Sequence, residues 1–345
     1  MTSVLVTGGG GYIGSVLVPA LLELSYSVVV VDRLFFGRER LPDHPALTVL
    51  SEDVRRLTEH HFEDIGAVID LAAISNDPSG ELFQEPTWAI NHRARVRCAS
   101  LAKKSAVERY ILPSSCSVYG FQDAETISTE ESDTNPLTTY AKANLAAEEG
   151  VLELADDDFC VTVLRQATVY GYSPRMRFDL AINGMTYGAW RTGRLPLMRD
   201  GSQWRPMVHV RDTCDALIFM LTAPKGSING EMFNVGSPDN VYQIGPLGEI
   251  VAEAVPGDVI IEWYGDPDHR SYRVGFEKIQ SLGWSATRDA AVGIKEIVTA
   301  LDEGRTDRTP ETLTLDWYKS LYRYKELLAN IEIDGQLLEL GEHGE

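Results

Sequence analysis

Thr7-Gly8-Gly9-Gly10-Gly11-Tyr12-Ile13-Gly14-Ser15 is the stretch on which the reading of this chain turns. It follows the apolar run Val4-Leu5-Val6. It opens a segment, Tyr12 to Leu24, in which Ile13, Leu17, Leu21 and Leu22 recur at helical spacing. Strand, glycine-rich turn and helix, in that order, give the spacing of Gly8, Gly11 and Gly14 its meaning. A side chain at the first two would block the tight turn or the approach of a pyrophosphate, and one at the third would push the helix off the sheet. Unpaired N–H groups at the helix start, at the positive end of its dipole, suit phosphate oxygens. The next apolar run, Ser27–Val31, ends in Asp32, 18 residues beyond Gly14. A carboxylate at that strand end accepts hydrogen bonds from an adenosine ribose diol and repels a 2′-phosphate, which favours NAD over NADP. Arg33 beside it works against the exclusion.

Outward from this stretch the same alternation continues. Val4–Thr7, Ser27–Val31, Ala67–Leu71, Arg109–Pro113 and Val161–Arg165 are short, continuously apolar and rich in β-branched residues. Strands buried on both faces read this way. Tyr12–Leu24, Pro86–Lys104 and Tyr140–Ala155 between them are helical in pattern. The fold class is therefore α/β, a doubly wound parallel sheet with ligands at the carboxyl ends of its strands. After Gly171 the pattern loosens into Pro-, Gly- and Arg-rich loops around a helix near Phe178–Thr192. The expected division is a dinucleotide-binding domain over 1–170, with 206–236 returning to it through the strand Glu231–Val235. A smaller mixed α/β substrate domain takes 171–205 and 237–330. Leu313–Leu328 reads as a helix rich in aromatics, and 331–345 as a loosely held acidic tail with five acids and no Lys or Arg.

The bulk numbers bound the function. A chain of 345 residues with 44% apolar content can bury a large core. The formal charge of −20 sets it against nucleic acid and anionic membranes as partners. Met1 leads directly into the first strand, which speaks against a leader, and no apolar run approaches the roughly 18 residues of a membrane span. Cys98, Cys116, Cys160 and Cys214 are scattered without a C-x-x-C pair, which argues for a reduced, cytoplasmic setting and against disulfides or a metal site.

From Ser3 to about Trp284 the chain resembles the extended short-chain dehydrogenases/reductases of the NAD-dependent epimerase/dehydratase type, a Rossmann family acting on nucleotide sugars. Thr7–Gly14 is similar to its T-G-x-x-G-x-x-G, and Asp53-Val54 to the acid-Val pair that touches adenine. Leu71-Ala72-Ala73 corresponds to the strand end lining the nicotinamide ribose, and Asn91 to an Asn in the helix behind the site. Ser114-Ser115-Cys116-Ser117-Val118-Tyr119-Gly120 resembles S-S-x-x-V-Y-G, and Arg205-Pro206-Met207-Val208-His209-Val210 resembles R-D-F-x-H-V. The resemblance implies NAD held by Gly8, Gly11, Tyr12, Ile13, Gly14, Asp32, Arg33, Asp53, Val54, Leu71, Ala72, Ala73, Asn91, Tyr140 and Asn144. It places Tyr140, 21 residues beyond Tyr119, as the base, with Ser115 donating to the reacting oxygen. Substrate would meet Ser75, Asn76, Ser115, Ser117, Tyr140, Arg177, Asn183 and Arg205. Tyr264 falls where the family's second phosphate Arg is expected, with Arg270 or Arg273 as replacements, and Arg175 is in the same loop as Arg177. His209 is expected to pack at a strand end.

The chain departs from the family at one position. A phenol must be driven well below its usual pKa of about 10 to act as a base near neutral pH. The family does this with the nicotinamide charge and a Lys four residues after the Tyr, one helical turn on. Here that position is Asn144, while Lys142 lies on the opposite side of the helix. Either NAD alone lowers the Tyr140 pKa, or another cation reaches in, or the chemistry is impaired. With Cys116 and Ser117 where dehydratases carry an acid, elimination of water is disfavoured. The expected function is a nucleotide-sugar 4-epimerase working through a transient 4-keto sugar. A 4-ketoreductase or dehydrogenase and an NAD-binding sensor are the alternatives. A homodimer is expected, its helices Pro86–Lys104 and Tyr140–Ala155 paired across a two-fold axis through Ala94, Ala143, Ala146 and Ala147.

Overall fold

The structure is a computed structural model that describes residues 3–122, 126–266 and 271–331. Seven parallel strands make the central sheet: β1 (Ser3–Thr7), β2 (Ser27–Asp32), β3 (Leu47–Ser51), β4 (Ala67–Asp70), β5 (Arg109–Ser115), β6 (Cys160–Gln166) and β7 (Glu231–Val235). Their spatial order is β7-β6-β5-β4-β1-β2-β3. The chain winds outward from β1 in one direction and from β4 in the other, so the order reverses between β1 and β4. Ligands bind in the crevice that such a reversal leaves at the carboxyl ends of the strands.

Side chains alternate across the sheet and fill a core on each face. Val4 and Val6 of β1 pack with Leu17, Leu21, Cys214 and Leu217 from the helices Gly14–Glu23 and Val210–Thr222. Leu5 packs on the other side with Cys98, Ala99, Ala147 and Val151. All four cysteines are buried and free. The strand pattern had no sign of β3, an edge strand with no buried residue. Its run Leu47-Thr48-Val49-Leu50 is short and its apolar residues are only half-buried, unlike the strands covered on both faces.

The helix expected over Pro86–Lys104 is composite: Gln84–Thr87, a π-helical segment Trp88–Ala94, and Arg95–Lys104. Ala94, Ala143 and Ala147 are buried within the protomer. They let these helices pack closely inside one chain.

Three small sheets make up the rest. Trp204–His209 pairs with Thr168–Tyr170 and Val241–Gln243, Arg194–Met198 pairs with Ile260–Tyr264, and Ile127–Ser128 with Arg273–Val274. Of the expected return segment 206–236, β7 joins the central sheet beside β6, whereas Trp204–His209 stays with the smaller sheet. The final helix, Thr314–Ile331, comes back to the large sheet's ligand end, where Trp317 donates to the Phe35 carbonyl at 2.6 Å. The acidic tail lies outside the described residues beyond Ile331. Among the described residues no helix is long and apolar enough to cross a membrane.

Candidate active site

A cavity of about 730 Å³ opens at the carboxyl ends of the strands, lined at one end by Gly8, Gly11, Tyr12, Ile13 and Gly14. Gly8 has φ +67°, and a Cβ there would stand 2.8 Å from the Ala72 nitrogen, where β1 and β4 part. A Cβ at Gly14 would lie 2.4 Å from the Gly9 carbonyl oxygen. The third glycine thus lets the helix start fold against the turn itself, at Gly9, rather than against the sheet. The N-cap is Ile13, with no side-chain cap; the N–H groups of Ser15, Val16 and Leu17 are taken by the carbonyls of Gly11 and Ile13, so the turn before them, Tyr12 to Gly14, is what faces a ligand.

Asp32 lines the same end. Its Oδ2 accepts the Gly10 N–H at 2.9 Å and its Oδ1 the Leu34 N–H at 2.7 Å. Burial pushes its pKa up against those two bonds. Arg33 donates to Asp53 at 2.8 Å and lies over the Phe35 ring. Arg55 also grips Asp53, through Nε and Nη2, and holds its carboxyl far below the usual range. Val54 opens the short helical turn Val54–Arg56 in the cavity wall.

The middle of the cavity is lined by Leu71, Ala72 and Ala73. Thr7 Oγ1 accepts the Ala72 N–H at 3.0 Å. Asn91 is fully buried behind them: its Nδ2 donates to the Ile74 carbonyl at 2.9 Å and its Oδ1 accepts the Ile74 N–H at 2.8 Å. Both ends of the amide are spent on the chain, so Asn91 braces this segment instead of facing a ligand. Asn183 departs from expectation in the same way. It is buried, accepts the Gly171 N–H at 2.9 Å, and donates to the Tyr12 hydroxyl at 3.0 Å and the Arg177 carbonyl at 2.9 Å.

Ser75, Asn76 and Arg177 do reach the cavity, tied together. Arg177 pairs with Asp179 at 2.8 Å and donates to Ser75 Oγ at 3.1 Å, while Asn76 Nδ2 donates to Asp179 at 2.9 Å. Burial raises the Asp179 pKa, but the Arg177 charge outweighs it and the net shift is downward. Arg205 lines the wall near Tyr272, its guanidinium 5.5 Å from that ring. Arg270 lies outside the described residues. His209 is away from the cavity, with Nε2 3.1 Å from Glu296 and its ring edge-on to Tyr170.

Tyr140 and Ser115 meet in the wall. Tyr140 sits in the first turn of the helix Thr139–Leu152, whose N-cap Thr138 donates to Asp77 at 2.6 Å. Ser115 Oγ ends β5 and accepts the Ser117 N–H at 3.2 Å, which leaves its proton free to donate. Burial raises the Tyr140 pKa; the nearby Arg95 charge and the Ser115 and Asn144 side chains oppose it, and Asp77 adds to it. Asn144 is buried one turn on, and its Oδ1 accepts a 2.6 Å bond from Arg95.

Gln166 and Arg95 escaped the sequence reading, and Ser117 and Arg175, which it named, share with them buried atoms that lack a partner among the described residues. Both amide atoms of Gln166 are buried without a partner among the described residues, as are Ser117 Oγ, Arg95 Nε, and Nε and Nη1 of Arg175. Arg175 stacks 3.6 Å from the Phe36 ring and donates to Thr314 Oγ1 at 3.0 Å. Tyr318, Leu321, Tyr322 and Lys325 of the last helix also line the cavity, with Tyr318 packed against Phe35, Phe36 and Phe83. That helix follows almost the whole chain; its helical pattern and aromatic richness were visible, but not its place at the cavity.

A glycine cradle that a Cβ would fill, an uncapped helix start, a buried carboxylate at the β2 end and orphaned polar atoms in one cavity fit a dinucleotide with a second ligand beside it.

A model of the NAD dependent epimerase/dehydratase family matches residues 4–236. The Low-salt glycan biosynthesis protein Agl12 of Haloferax volcanii is 29% identical over 81% of this chain and 92% of its own. UDP-arabinose 4-epimerase 1 of Arabidopsis thaliana is 31% identical over 69% of this chain and 64% of its own. A solved structure of MoeE5 in complex with UDP-glucuronic acid and NAD superimposes with a TM-score of 0.77 at 29% identity, covering 88% of this chain and 99% of that one.

Proposed function

The chain belongs to the NAD-dependent epimerase/dehydratase family, and from that premise we propose that it is a nucleotide-sugar 4-epimerase. The observation that carries this reading is the roof over the cavity. The helix Thr314–Ile331 lies across the end marked by Asp32, with Trp317 bonded to Phe35 and Tyr318 packed on Phe35 and Phe36. A helix packed against one side of the cofactor end would slow release of the cofactor, which suits a cycle that regenerates it at each turnover better than a dehydrogenase that must release it.

Gly8 to Gly14, Asp32 and the Leu71–Ala73 segment would hold NAD, with Asp53 and Val54 toward its adenine. Bound there, NAD would supply the acceptor for the hydride leaving C4 of the sugar and the donor for its return. Tyr140 takes the O4 proton as the alcohol is oxidised and gives it back on reduction. Ser115 donates a hydrogen bond to the same oxygen, stabilising the negative charge that develops on it as its proton leaves. Arg205 suits the diphosphate, since its planar fork pairs with phosphate oxygens. The position after Ser115 cannot supply an acid for dehydration: Cys116 is buried, its thiol donates to the Arg165 carbonyl at 3.3 Å, and burial pushes its pKa up. The relative named for UDP-arabinose and the structure holding UDP-glucuronic acid favour a uridine nucleotide.

Purified protein incubated with NAD and a panel of UDP- and dTDP-sugars tests the reading. C4 isomers without net NADH are expected. Stoichiometric NADH would make it a dehydrogenase, and NAD binding without turnover a sensor.

A further inference from the structure

The family lysine is missing from the Tyr140 helix, yet a cation is present. Arg95 opens the helix Arg95–Lys104 directly after the π-helical segment, lines the cavity and is only 4% exposed. Its Nη1 donates to Asn144 Oδ1 at 2.6 Å, across 49 positions of sequence. Guanidinium carries donors only, so the amide atom facing it must be the oxygen, which fixes the orientation of Asn144. Asn144 Nδ2 is then a buried donor with no partner among the described residues, and Arg95 Nε is another. No carboxylate among the described residues pairs with Arg95. A guanidinium buried without a counter-ion is costly, and an anion beside it offsets that cost. The group that becomes an anion in this site is the Tyr140 phenol.

We propose that Arg95 supplies the positive charge that the family takes from its lysine, and that Asn144 is the positioning residue that holds the guanidinium beside Tyr140. The inference rests on Tyr140 being the base. It divides one side chain's two duties between two helices. Arg95 brings the charge, and Asn144 brings a donor one turn from the phenol. When Tyr140 ionises, its oxygen becomes the acceptor for the substrate O4 proton, and Arg95 stabilises the phenolate from which that transfer starts. The other groups around the phenol are accounted for. Asp77, from the helix Asp77–Leu82, opposes ionisation, and Ser115 on β5 favours it. Behind Arg95, Cys98 and Tyr110 are kept protonated by burial, and Asp70 is engaged by the hydroxyls of Thr7 and Tyr110. Lys142, on the same helix as Tyr140, is exposed and near Glu81.

The test titrates phenolate absorbance in the full-length protein with NAD bound, taking the difference between the protein and its Tyr140→Phe variant. In Arg95→Met the midpoint of Tyr140 ionisation is expected to rise by about one to three pH units, the effect of removing a charge a few ångströms away. Arg95→Lys is expected to recover most of the shift, and so is Asn144→Lys placed on Arg95→Met. Asn144→Leu, which leaves the guanidinium in place but unheld, should give a smaller rise. An unmoved midpoint in Arg95→Met that still melts and binds NAD like the parent would overturn the proposal. If Arg95→Met does not fold, the decisive variant is Asn144→Leu, and an unmoved midpoint there has the same consequence. The readout needs no sugar. An Arg95-dependent midpoint in a protein that epimerises nothing refutes the proposed function alone. Epimerisation with an Arg95-independent midpoint refutes this inference alone.

Discussion

Replacing Asp32 with alanine tests the cofactor end of the site. The Asp32 carboxylate spends one lone-pair direction on each oxygen, on Gly10 N–H at 2.9 Å and Leu34 N–H at 2.7 Å. One direction on each oxygen is left for the two hydroxyls of a ribose diol. A hydrogen bond to a charged acceptor contributes about 1.5–3 kcal/mol, so losing both in Asp32→Ala should weaken NAD binding by roughly 10²- to 10⁴-fold. NADP should lose little, because the carboxylate repels a 2′-phosphate by about 4 kcal/mol per unit charge at 4 Å in a surface-like dielectric. The gap between the cofactors should therefore narrow. It should not reverse, because Arg33 is engaged with Asp53 and Phe35. Calorimetric titration of both proteins with NAD and with NADP reads all four affinities, and melting temperature reports whether the turn survives. Equal wild-type affinities, or an unchanged NAD affinity in a folded Asp32→Ala, would refute the reasoning. The pH dependence has a definite sign. Burial raises the Asp32 pKa, so ionised Asp32 costs the cofactor-free protein stability as pH rises through that pKa. Ribose hydroxyls favour the ionised form, so NAD affinity should fall as pH drops through the same range.

Gly14→Ala places a Cβ 2.4 Å from the Gly9 oxygen, a backbone contact that cannot rotate away. It should cost about 1–3 kcal/mol by overpacking and abolish detectable NAD binding, read by thermal melting and calorimetry. Tyr140→Phe should lower turnover by about 10²- to 10⁴-fold while NAD affinity stays within a few-fold, measured by isomer formation and calorimetry. Ending the chain after Leu313 removes Tyr318, Leu321, Tyr322 and Lys325 from the cavity wall. NAD should then dissociate at least tenfold faster in stopped flow, and an unchanged rate would remove the argument for cofactor retention. A homodimer is expected in light scattering at micromolar concentration. Its face would use half-exposed positions such as Trp88, His92, Leu145 and Ala146, since the other alanines are buried in the protomer.

What the sequence determined by itself is whatever depends on neighbours along the chain. The turn Thr7–Gly14, the strands β1, β2, β4, β5, β6 and β7 and the helix bearing Tyr140 each write a local pattern, because burial on one or both faces repeats with the period of the backbone. β3 was passed over because its half-buried Leu47, Val49 and Leu50, broken by the exposed Thr48, do not make the continuous apolar run of a strand covered on both faces. The tertiary structure decided which side chains face a ligand and which are spent on the chain. Asn91 and Asn183 carry the residue type of a binding group, yet their amides are saturated by Ile74, Gly171, Tyr12 and Arg177. Arg33 looked like a free cation beside Asp32 until Asp53, 20 positions on, took its charge. The last helix reaches Phe35 across 282 positions. Arg95 reads as one more surface arginine of a basic helix until folding buries it against Asn144. Hydrogen bonds and charges act over a few ångströms, and only the folded chain brings residues so distant in sequence within that range.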